Sequence, residues 1–315
     1  MLTKRIIVWM VLFVLTGIGA LQVIWSDSKA SNPVFDGFVK VDTSDIEQIR
    51  YTYKGTSHTI EVVSPTKWMI DGKYELRPDV IQLIKIGMGR MEPKMAVSNE
   101  LLTQASQTLN EKGVKLEVQG EEQNTTFIIS ANPNDQNSSW YTGGGNAQPL
   151  VIQVPGFTGD YSTIFRMNVQ DLRDPLVFSS SPGSLLELEV SYKDQPKYNF
   201  FIRQGERGYE VDGIAKLDTN KLYAYLNLYQ QVNVYSYMVD KAKDSVETLL
   251  KGKMPEVSIR LKDREIIKSN TLIIYEALPG DKYLYGKIVE KNELVLLSPK
   301  TLQYLLVRRD LFMDK

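Results

Sequence analysis

The segment from Ile6 to Trp25 constrains the fold most, because it contains no charged residue. In a helix, about 20 residues at about 1.5 Å each extend roughly 30 Å, which is the thickness of the hydrocarbon core of a bilayer. Lys4 and Arg5 precede the segment and Asp27 follows it. Positive charge favours the cytoplasmic side of a membrane. The sequence therefore predicts a single-pass anchor with its N-terminus in the cytoplasm and all later residues in the periplasm or outside the cell.

Two other interpretations of this segment remain open. Ser28-Lys29-Ala30 offers small residues where a signal peptidase cuts, so the segment is also compatible with a cleaved signal peptide. An ordinary signal core is shorter, with about 7–15 apolar residues, and the length therefore favours the uncleaved anchor. The third interpretation is a buried core helix of a soluble protein.

Composition excludes several classes of function. The chain of 315 residues has a formal net charge of -1, so it lacks the basic excess that neutralises phosphates, and nucleic-acid binding is not expected. It has no cysteine, which excludes disulfides, thiolate catalysis and a lipid-anchored N-terminus. Its one histidine, His58, lies in an alternating stretch typical of an exposed strand residue. We therefore predict no cofactor, no tightly bound transition metal and no enzymatic activity.

The chain beyond the anchor reads as two copies of one unit, each about 140 residues long. In both copies an alternating strand is followed by an aromatic-x-aliphatic-Asp-Gly turn, helices and further strands. Each copy ends in a segment that contains Arg-Asp followed by apolar residues, which we call the Arg-Asp close. The matching segments of the first and second copies are 49–53 and 188–192, 68–72 and 209–213, 114–118 and 257–261, 124–129 and 270–275, 150–152 and 294–296, and 172–178 and 307–312.

Helix signals follow each Asp-Gly pair. Arg77-Pro78-Asp79 suits the start of a helix, and Asp218 offers a capping side chain to its counterpart. Ser98 and Gly113 mark the predicted start and end of a second helix in the first copy.

The predicted fold is α+β: a transmembrane helix followed by two similar tandem units of mainly antiparallel sheet with helices on one face. Small polar residues with Pro and Gly predict a short exposed linker between the units. The predicted divisions are 1–26 for the cytoplasmic tip and anchor, 27–39 for a linker, 40–178 for the first repeat, 179–184 for the second linker, and 185–315 for the second repeat.

This order of features resembles a bacterial family of membrane-anchored domains of unknown function. The features are the charged tip and apolar helix, the Asp-Gly strand end, the paired helices, the run of strands, and the Arg-Asp close. Members of that family are often encoded beside ABC-transporter subunits and auxiliary proteins of the gliding-motility type. The resemblance extends from about residue 1 to about residue 312. It implies an exported accessory subunit of a membrane complex, and it carries over no catalytic residue.

The candidate partner-binding surface is a tyrosine-rich segment of the second repeat. Tyrosines combine an apolar ring with a polar tip and are common at interfaces, although the helical period directs about half of these rings toward a core. The members are Tyr223, Tyr225, Tyr229, Tyr235 and Tyr237.

Other patterns favour structural roles. Gly143-Gly144-Gly145 precedes a strand rather than a helix, so it predicts a hairpin turn and not a phosphate loop. The repeat-related acids Asp71 with Asp212, and Asp174 with Asp310, suit turns and ion pairs better than paired acid–base catalysis. The Arg-Asp closes suit structural closure or a docking surface.

The expected function is that of a non-enzymatic, membrane-anchored extracytoplasmic accessory or scaffold protein. Its partners would be other membrane or envelope proteins, including ABC-transporter subunits. One alternative is a module that binds a small ligand or glycan in an aromatic cleft. The second alternative is a hydrolase that uses only carboxylates.

Overall fold

The computed structural model describes residues 35–145, 147–265, 269–277 and 280–314. The predicted anchor, Ile6 to Trp25, lies outside these residues, and so do the tip before it and most of the linker after it. Within the described ranges, no helix combines the length and the apolar character that a membrane crossing requires.

The described chain is α+β with mainly antiparallel sheets, as predicted. The strands of the first half are β1 (Gln48–Tyr53), β2 (Thr56–Ser64), β3 (Lys67–Ile70), β4 (Tyr74–Glu75), β5 (Glu92–Ala96), β6 (Val114–Gln119), β7 (Asn124–Ala131), β8 (Ser139–Thr142), β9 (Leu150–Gln153) and β10 (Leu176–Phe178). Those of the second half are β11 (Leu185–Tyr192), β12 (Phe200–Gly205), β13 (Gly208–Val211), β14 (Val232–Asn233), β15 (Ser236–Tyr237), β16 (Val257–Asp263), β17 (Asn270–Ile274), β18 (Leu284–Ile288) and β19 (Glu293–Leu297).

The α-helices are α1 (Pro78–Arg90), α2 (Asn99–Lys112), α3 (Val169–Leu172), α4 (Thr219–Asn227), α5 (Asp240–Leu250) and α6 (Pro299–Leu305). Short 3-10 helices include Tyr161–Arg166, Leu228–Gln230 and Arg309–Phe312.

The chain forms two compact units that are discontinuous in sequence. Unit 1 combines the described residues up to Pro65 with Gln82–Arg166, and unit 2 combines Thr66–Ile81 with Met167–Lys315. This division differs from the predicted repeats, because the segment with β3 and β4 groups with unit 2. The repeat boundaries predicted from the sequence stay predictions.

In unit 1, antiparallel strands follow one another in the order β2-β1-β6-β7-β8-β9-β5. Apolar residues alternate along most of these strands, which directs them to one face of the pleated sheet, whereas Trp140 points to the opposite face and packs with Ala105 and Leu109 of α2. Their buried members include Ile49, Tyr51, Ile60, Val114, Leu116, Val118, Phe127, Ile129, Trp140 and Tyr141.

In unit 2, antiparallel strands follow the order β13-β12-β11-β16-β17-β18-β19-β15, and β10 pairs separately with β14. The core joins side chains of these strands with α4, α6 and the C-terminal 3-10 helix. Its members include Phe178, Leu188, Val190, Ile202, Leu222, Tyr225, Tyr229, Ile259, Leu272, Val295, Leu302 and Phe312. The order β12-β11-β16-β17-β18-β19-β15 matches the unit 1 order strand for strand.

The helix boundaries follow the capping signals. Helix α2 begins after Ser98 and ends at Gly113, as predicted, although the Ser98 side chain makes no capping hydrogen bond. A Cβ at Gly113 would lie 2.1 Å from the carbonyl oxygen of Leu109, so the helix end requires glycine through close approach. Asp218 caps α4 as predicted, because its side chain accepts a hydrogen bond from the Lys221 amide.

Both Asp-Gly pairs form turns. Asp71 and Gly72 have φ values of 54° and 61°, which places both in the left-handed region that two-residue hairpins favour. Gly213 has a φ of 75°, whereas Asp212 keeps a negative φ. The two pairs therefore make turns of different geometry.

The segment predicted as an exposed linker is only partly exposed. Ser180 is buried, and its hydroxyl donates to the carboxylate of buried Asp263, which also accepts from Ser184 Oγ at 2.7 Å. Tyr209 donates its hydroxyl to the carbonyl oxygens of Pro182 and Leu185, each at 2.6 Å. Polar residues in this linker find internal partners, and the composition that predicted exposure does not reveal them.

Candidate functional site

Arg173 is the most buried arginine charge described in unit 2, with 6% of its surface exposed. Its guanidinium carbon lies 3.7 Å from the ring centroid of Tyr74 and 3.6 Å from that of Tyr237. A guanidinium above an aromatic ring is attracted by the negative face of the ring. Arg173 is therefore stacked on both of its faces.

The edges of the same guanidinium carry hydrogen bonds. Arg173 Nη1 donates to Gln170 Oε1 at 2.7 Å, and Nη2 donates to Glu293 Oε1 at 2.6 Å. The charge is thus balanced by one carboxylate at short distance, the arrangement that lets a buried arginine persist. We call these five residues, Tyr74, Gln170, Arg173, Tyr237 and Glu293, the Arg173 cluster.

Four separate stretches of unit 2 supply the cluster. Tyr74 begins β4 directly after the Asp71-Gly72 turn, and Arg173 follows α3. Tyr237 ends β15, and Glu293 begins the neighbouring β19. A backbone bridge joins Leu76 to Arg173, and the amide of Asp174 donates to the carbonyl of Glu75 at 2.8 Å. The Arg-Asp close therefore fastens the early hairpin to the sheet of unit 2.

The second Arg-Asp close makes a comparable bridge. Leu217 pairs with Met313, and the amide of Asp218 donates to the carbonyl of Phe312 at 2.9 Å. Arg309 Nη1 lies close to the turn at Gly213, 3.1 Å from where a Cβ would stand. Both closes thus lie beside an Asp-Gly turn, but only the first is buried between two aromatic rings.

The pKa of one cluster residue, Tyr237, is shifted by its surroundings. Burial raises the pKa of Tyr237 to about 12, and the nearby Arg173 charge opposes that rise. The Tyr237 hydroxyl donates to the carbonyl of Asp174 at 2.7 Å. One oxygen of Glu293, Oε2, is buried without a hydrogen-bond partner in the described part of the chain. The Tyr237 hydroxyl therefore stays protonated near neutral pH and acts as a hydrogen-bond donor.

Three clefts of unit 2 border Arg173. The largest is a groove of about 680 Å³ that extends along the β14–β15 segment. A second cleft, of about 540 Å³, has Lys73, Asn270 and Lys291 on its walls. The third, of about 380 Å³, adds Lys243. Arg173 forms part of the floor that these clefts share.

The five predicted surface tyrosines do not form one surface. Tyr225 and Tyr229 lie in the core of unit 2, where their hydroxyls are 2.8 Å apart and Tyr225 donates to the carbonyl of Leu305 at 2.8 Å. The helical period places both rings on the inner side of α4 and the 3-10 turn after it. Tyr237 is buried in the Arg173 cluster. Tyr223 and Tyr235 are exposed, at 43% and 58%.

The remaining candidate residues occupy structural positions. Gly143-Gly144-Gly145 lies between β8 and β9, so it does not lead into a helix. Asp174 Oδ1 accepts from the amide of Leu176 at 3.0 Å, which fixes the turn into β10. His58 lies in β2 as predicted, but it is half-buried, and its ring centroid is 5.3 Å from that of Tyr51. Across the described residues, no group of three or more His, Asp or Glu side chains has the arrangement of a metal site.

Sequence reasoning identified Arg173 as part of a structural close or docking surface but missed Tyr74, Gln170 and Glu293. Two of them lie beside a predicted feature: Tyr74 comes after the Asp-Gly turn, and Glu293 directly precedes the predicted segment 294–296. Their convergence depends on long-range pairing, which local pattern does not encode.

A protein-family model described as "Domain of unknown function (DUF4340)" matches residues 68–252, which is more than half of the 315-residue chain. The match includes Tyr74, Gln170, Arg173 and Tyr237. No curated protein and no solved structure matches the chain.

Proposed function

The chain belongs to the DUF4340 family of domains of unknown function, and from this premise we propose that it is a non-enzymatic accessory or scaffold protein. It would be anchored in the cytoplasmic membrane through Ile6 to Trp25, with its units outside that membrane. Its partners would be membrane or envelope proteins, with subunits of an ABC-type transporter as the leading candidates.

The Arg173 cluster is the observation that carries this proposal. Its guanidinium faces contact Tyr74 and Tyr237, and its edge donates to Gln170 and Glu293. A catalytic arginine must direct donors at a substrate, because it acts on charge that develops in the transition state. Here the Arg173 Nη1 and Nη2 donors bond to Gln170 and Glu293 of the chain itself. The cluster supports a role in fixing the shape of unit 2 as a binding scaffold.

The directions of the pKa shifts support the same proposal. Hydrogen bonds from neighbouring groups lower the pKa of several carboxyl groups: Asp42, Asp79, Glu117, Asp135 and Asp218. Burial raises the pKa of a set of tyrosines: Tyr141, Tyr161, Tyr192, Tyr209, Tyr225, Tyr229 and Tyr237. General acid–base catalysis favours groups tuned toward the working pH. The pKa values of these carboxyl groups and tyrosines are shifted away from neutral pH.

We also propose that the two halves arose from one duplicated unit. The seven-strand orders β2-β1-β6-β7-β8-β9-β5 and β12-β11-β16-β17-β18-β19-β15 support this origin. The paired Asp-Gly turns and Arg-Asp closes support it too.

The location is tested by membrane fractionation of cells that express the full chain. The proposal expects a full-length protein that stays in the membrane through carbonate extraction and is degraded by protease added outside the cytoplasmic membrane. A soluble mature form that begins at Ser31 would instead establish a cleaved signal peptide.

The partner is tested by a photo-reactive amino acid at Tyr223, which is 43% exposed on α4. The matched control is the same amino acid at Tyr304, which is 60% exposed on α6. The proposal expects a specific adduct with an integral-membrane transporter subunit from position 223 only. Equal adducts from both positions, or adducts with soluble proteins alone, would contradict it.

A further inference from the structure

The groove along the β14–β15 segment of unit 2 has the chemistry of a site for a polyhydroxylated ligand. It measures about 680 Å³, and its lining includes Arg77, Asp79, Asp171, Gln231, Asn233 and Tyr235. Such a volume lies within the usual range for small-molecule sites. We call it the Tyr235 groove.

The polar residues of the groove carry carboxylates, amides, hydroxyls and the guanidinium groups of Arg77 and Arg173, and the Arg173 guanidinium already contacts Gln170 and Glu293. Carboxylates only accept hydrogen bonds, guanidinium only donates, and amides do both. A hydroxyl group both donates and accepts. This mixture therefore matches a ligand with many hydroxyl groups, whereas an anion would meet the carboxylates of Asp79 and Asp171, and an apolar ligand would leave polar walls unsatisfied.

Part of this polar wall is already held in place. Arg77 Nε donates to Asp79 Oδ1 at 3.0 Å, Nη2 donates to Oδ2 at 2.5 Å, and Nη1 donates to the carbonyl of Asp171 at 3.3 Å. The Arg77 guanidinium lowers the pKa of Asp79 through these hydrogen bonds, so this carboxylate stays ionised near neutral pH. Groups that are fixed before binding lose less entropy on binding.

Tyr235 supplies an aromatic face at the rim. Its ring is 58% exposed and stacks on Tyr283, with centroids 4.0 Å apart and planes inclined by 22°. The stack fixes the ring orientation while it leaves apolar surface in water. Exposed aromatic surface beside polar groups is typical of a binding site. The C–H face of a sugar ring fits such a surface.

We infer that the Tyr235 groove binds a neutral carbohydrate. One sugar ring would lie against Tyr235, and its hydroxyl groups would contact Asp79, Gln231 and Asn233. This inference is drawn from the groove of unit 2 alone and does not depend on the identity of the protein partner. An extracytoplasmic location would give the groove access to envelope glycans.

The test is calorimetric titration of the full chain, solubilised in a detergent without a sugar headgroup. The probes are the tetramers of N-acetylglucosamine and of glucose. We expect saturable binding of at least one probe and a loss of affinity of about tenfold or more in Tyr235→Ala, the usual effect of removing an aromatic anchor. Tyr235→Trp should retain binding, because indole also offers a flat aromatic face.

The matched control is Tyr304→Ala, which removes a tyrosine that is 60% exposed on α6 and lies outside the groove lining. It should bind like the unaltered protein. Asn233→Ala should weaken binding with an unchanged thermal midpoint. Absence of binding to both probes, or equal affinity in Tyr235→Ala and Tyr304→Ala, would overturn the inference. Neither result bears on the photo-crosslinking at Tyr223, so failure of the two proposals can be distinguished.

Discussion

At the scale of single residues, Arg173 and Asp263 carry buried charge in unit 2 by different means. Arg173 uses two aromatic faces and one carboxylate. Among the described residues, the hydrogen-bond partners of Asp263 are all uncharged groups. Its carboxylate accepts from the hydroxyls of Ser180 and Ser184 and from the amide of Glu265, the last at 2.8 Å. Both residues join distant segments of the chain, so removal of either charge should lower the free energy of unfolding.

Substitution of Arg173 by Ala should lower the free energy of unfolding by about 3 kcal/mol or more, because it leaves Glu293 without its cation in a mostly buried position. Arg173→Lys should rescue only part of this loss, since an ammonium lacks the planar fork and the stacking faces. Urea denaturation measures both. The control is Arg203→Ala, which breaks an exposed ion pair with Glu210 and should cost less than about 1 kcal/mol. Equal losses for Arg173 and Arg203 would contradict the structural role of the cluster.

Asp263 should make stability dependent on pH. Burial raises the pKa of Asp263, but hydrogen bonds from Ser180, the Glu265 amide and Ser184 outweigh burial and lower it below the ordinary value. Because the folded pKa is depressed, the contribution is fully present above the unfolded pKa of about 3.9 and is lost as pH falls through the folded pKa.

Asp263→Asn should therefore cost about 1–3 kcal/mol at neutral pH, and the difference should shrink as the pH falls below about 4. Thermal or urea unfolding across this pH range measures the effect. Glu206→Gln, an exposed change in the turn between β12 and β13, should follow the unaltered protein throughout. A difference that stays constant down to low pH would show that the ionised carboxylate is not what stabilises the fold.

At the scale of secondary structure, local signals predicted most elements. The alternating stretches became β1, β6, β7, β11, β16 and β17, because alternation fixes which face of a strand is buried. The capping residues Ser98 and Asp218 located the starts of α2 and α4. The Asp-Gly pairs located both turns. These features depend on neighbours in sequence, and a sequence shows neighbours directly.

The elements that were missed are short or depend on distant partners. Strand β5 pairs with β9, and β15 pairs with β19. The sequences of β5 and β15 show no alternation of apolar and polar residues. β10 has three residues and β14 has two, and among the described strands they pair with each other alone. The buried linker residue Ser180 depends on Asp263, which lies far along the chain. For the same reason Tyr74, Gln170 and Glu293 of the Arg173 cluster were not predicted.

The turn between β3 and β4 should require glycine for its backbone conformation alone. Gly72 has a φ of 61°, and a Cβ there would meet nothing within 4 Å. Gly72→Ala should cost about 1 kcal/mol through left-handed strain. Gly183→Ala is the control, because that glycine has no left-handed φ and only Ser181 Oγ nearby, at 3.7 Å. It should change the unfolding free energy by less than about 0.5 kcal/mol. Equal effects in urea denaturation would contradict the argument.

At the scale of the whole molecule, the compact units divide the chain differently from the repeats predicted from the sequence. β10, the last strand of the predicted first repeat, pairs with β14. Val177 and Phe178 of this strand belong to the core of unit 2, where the Phe178 ring centroid is 5.8 Å from that of Tyr229. A strand of the predicted first repeat thus contributes to the core of unit 2. The folding unit is therefore set by where apolar side chains are buried, and not by where the repeat begins.

This difference predicts which fragments fold. A fragment 185–315 follows the predicted repeat but lacks Phe178, which is fully buried, and Ser180, whose amide donates to the carbonyl of Tyr229 at 2.9 Å. A fragment 167–315 keeps both and follows the continuous part of unit 2. The shorter fragment should be less stable by about 3–5 kcal/mol, the usual effect of removing a buried phenylalanine.

Phe178→Ala in fragment 167–315 isolates the cause, because it removes the ring and keeps the chain length. Its thermal midpoint should fall most of the way toward that of 185–315. If both fragments unfold at the same temperature, the core of unit 2 does not depend on β10. Phe178 would then not stabilise the core of unit 2. The predicted repeat, which begins at residue 185, would be sufficient to fold.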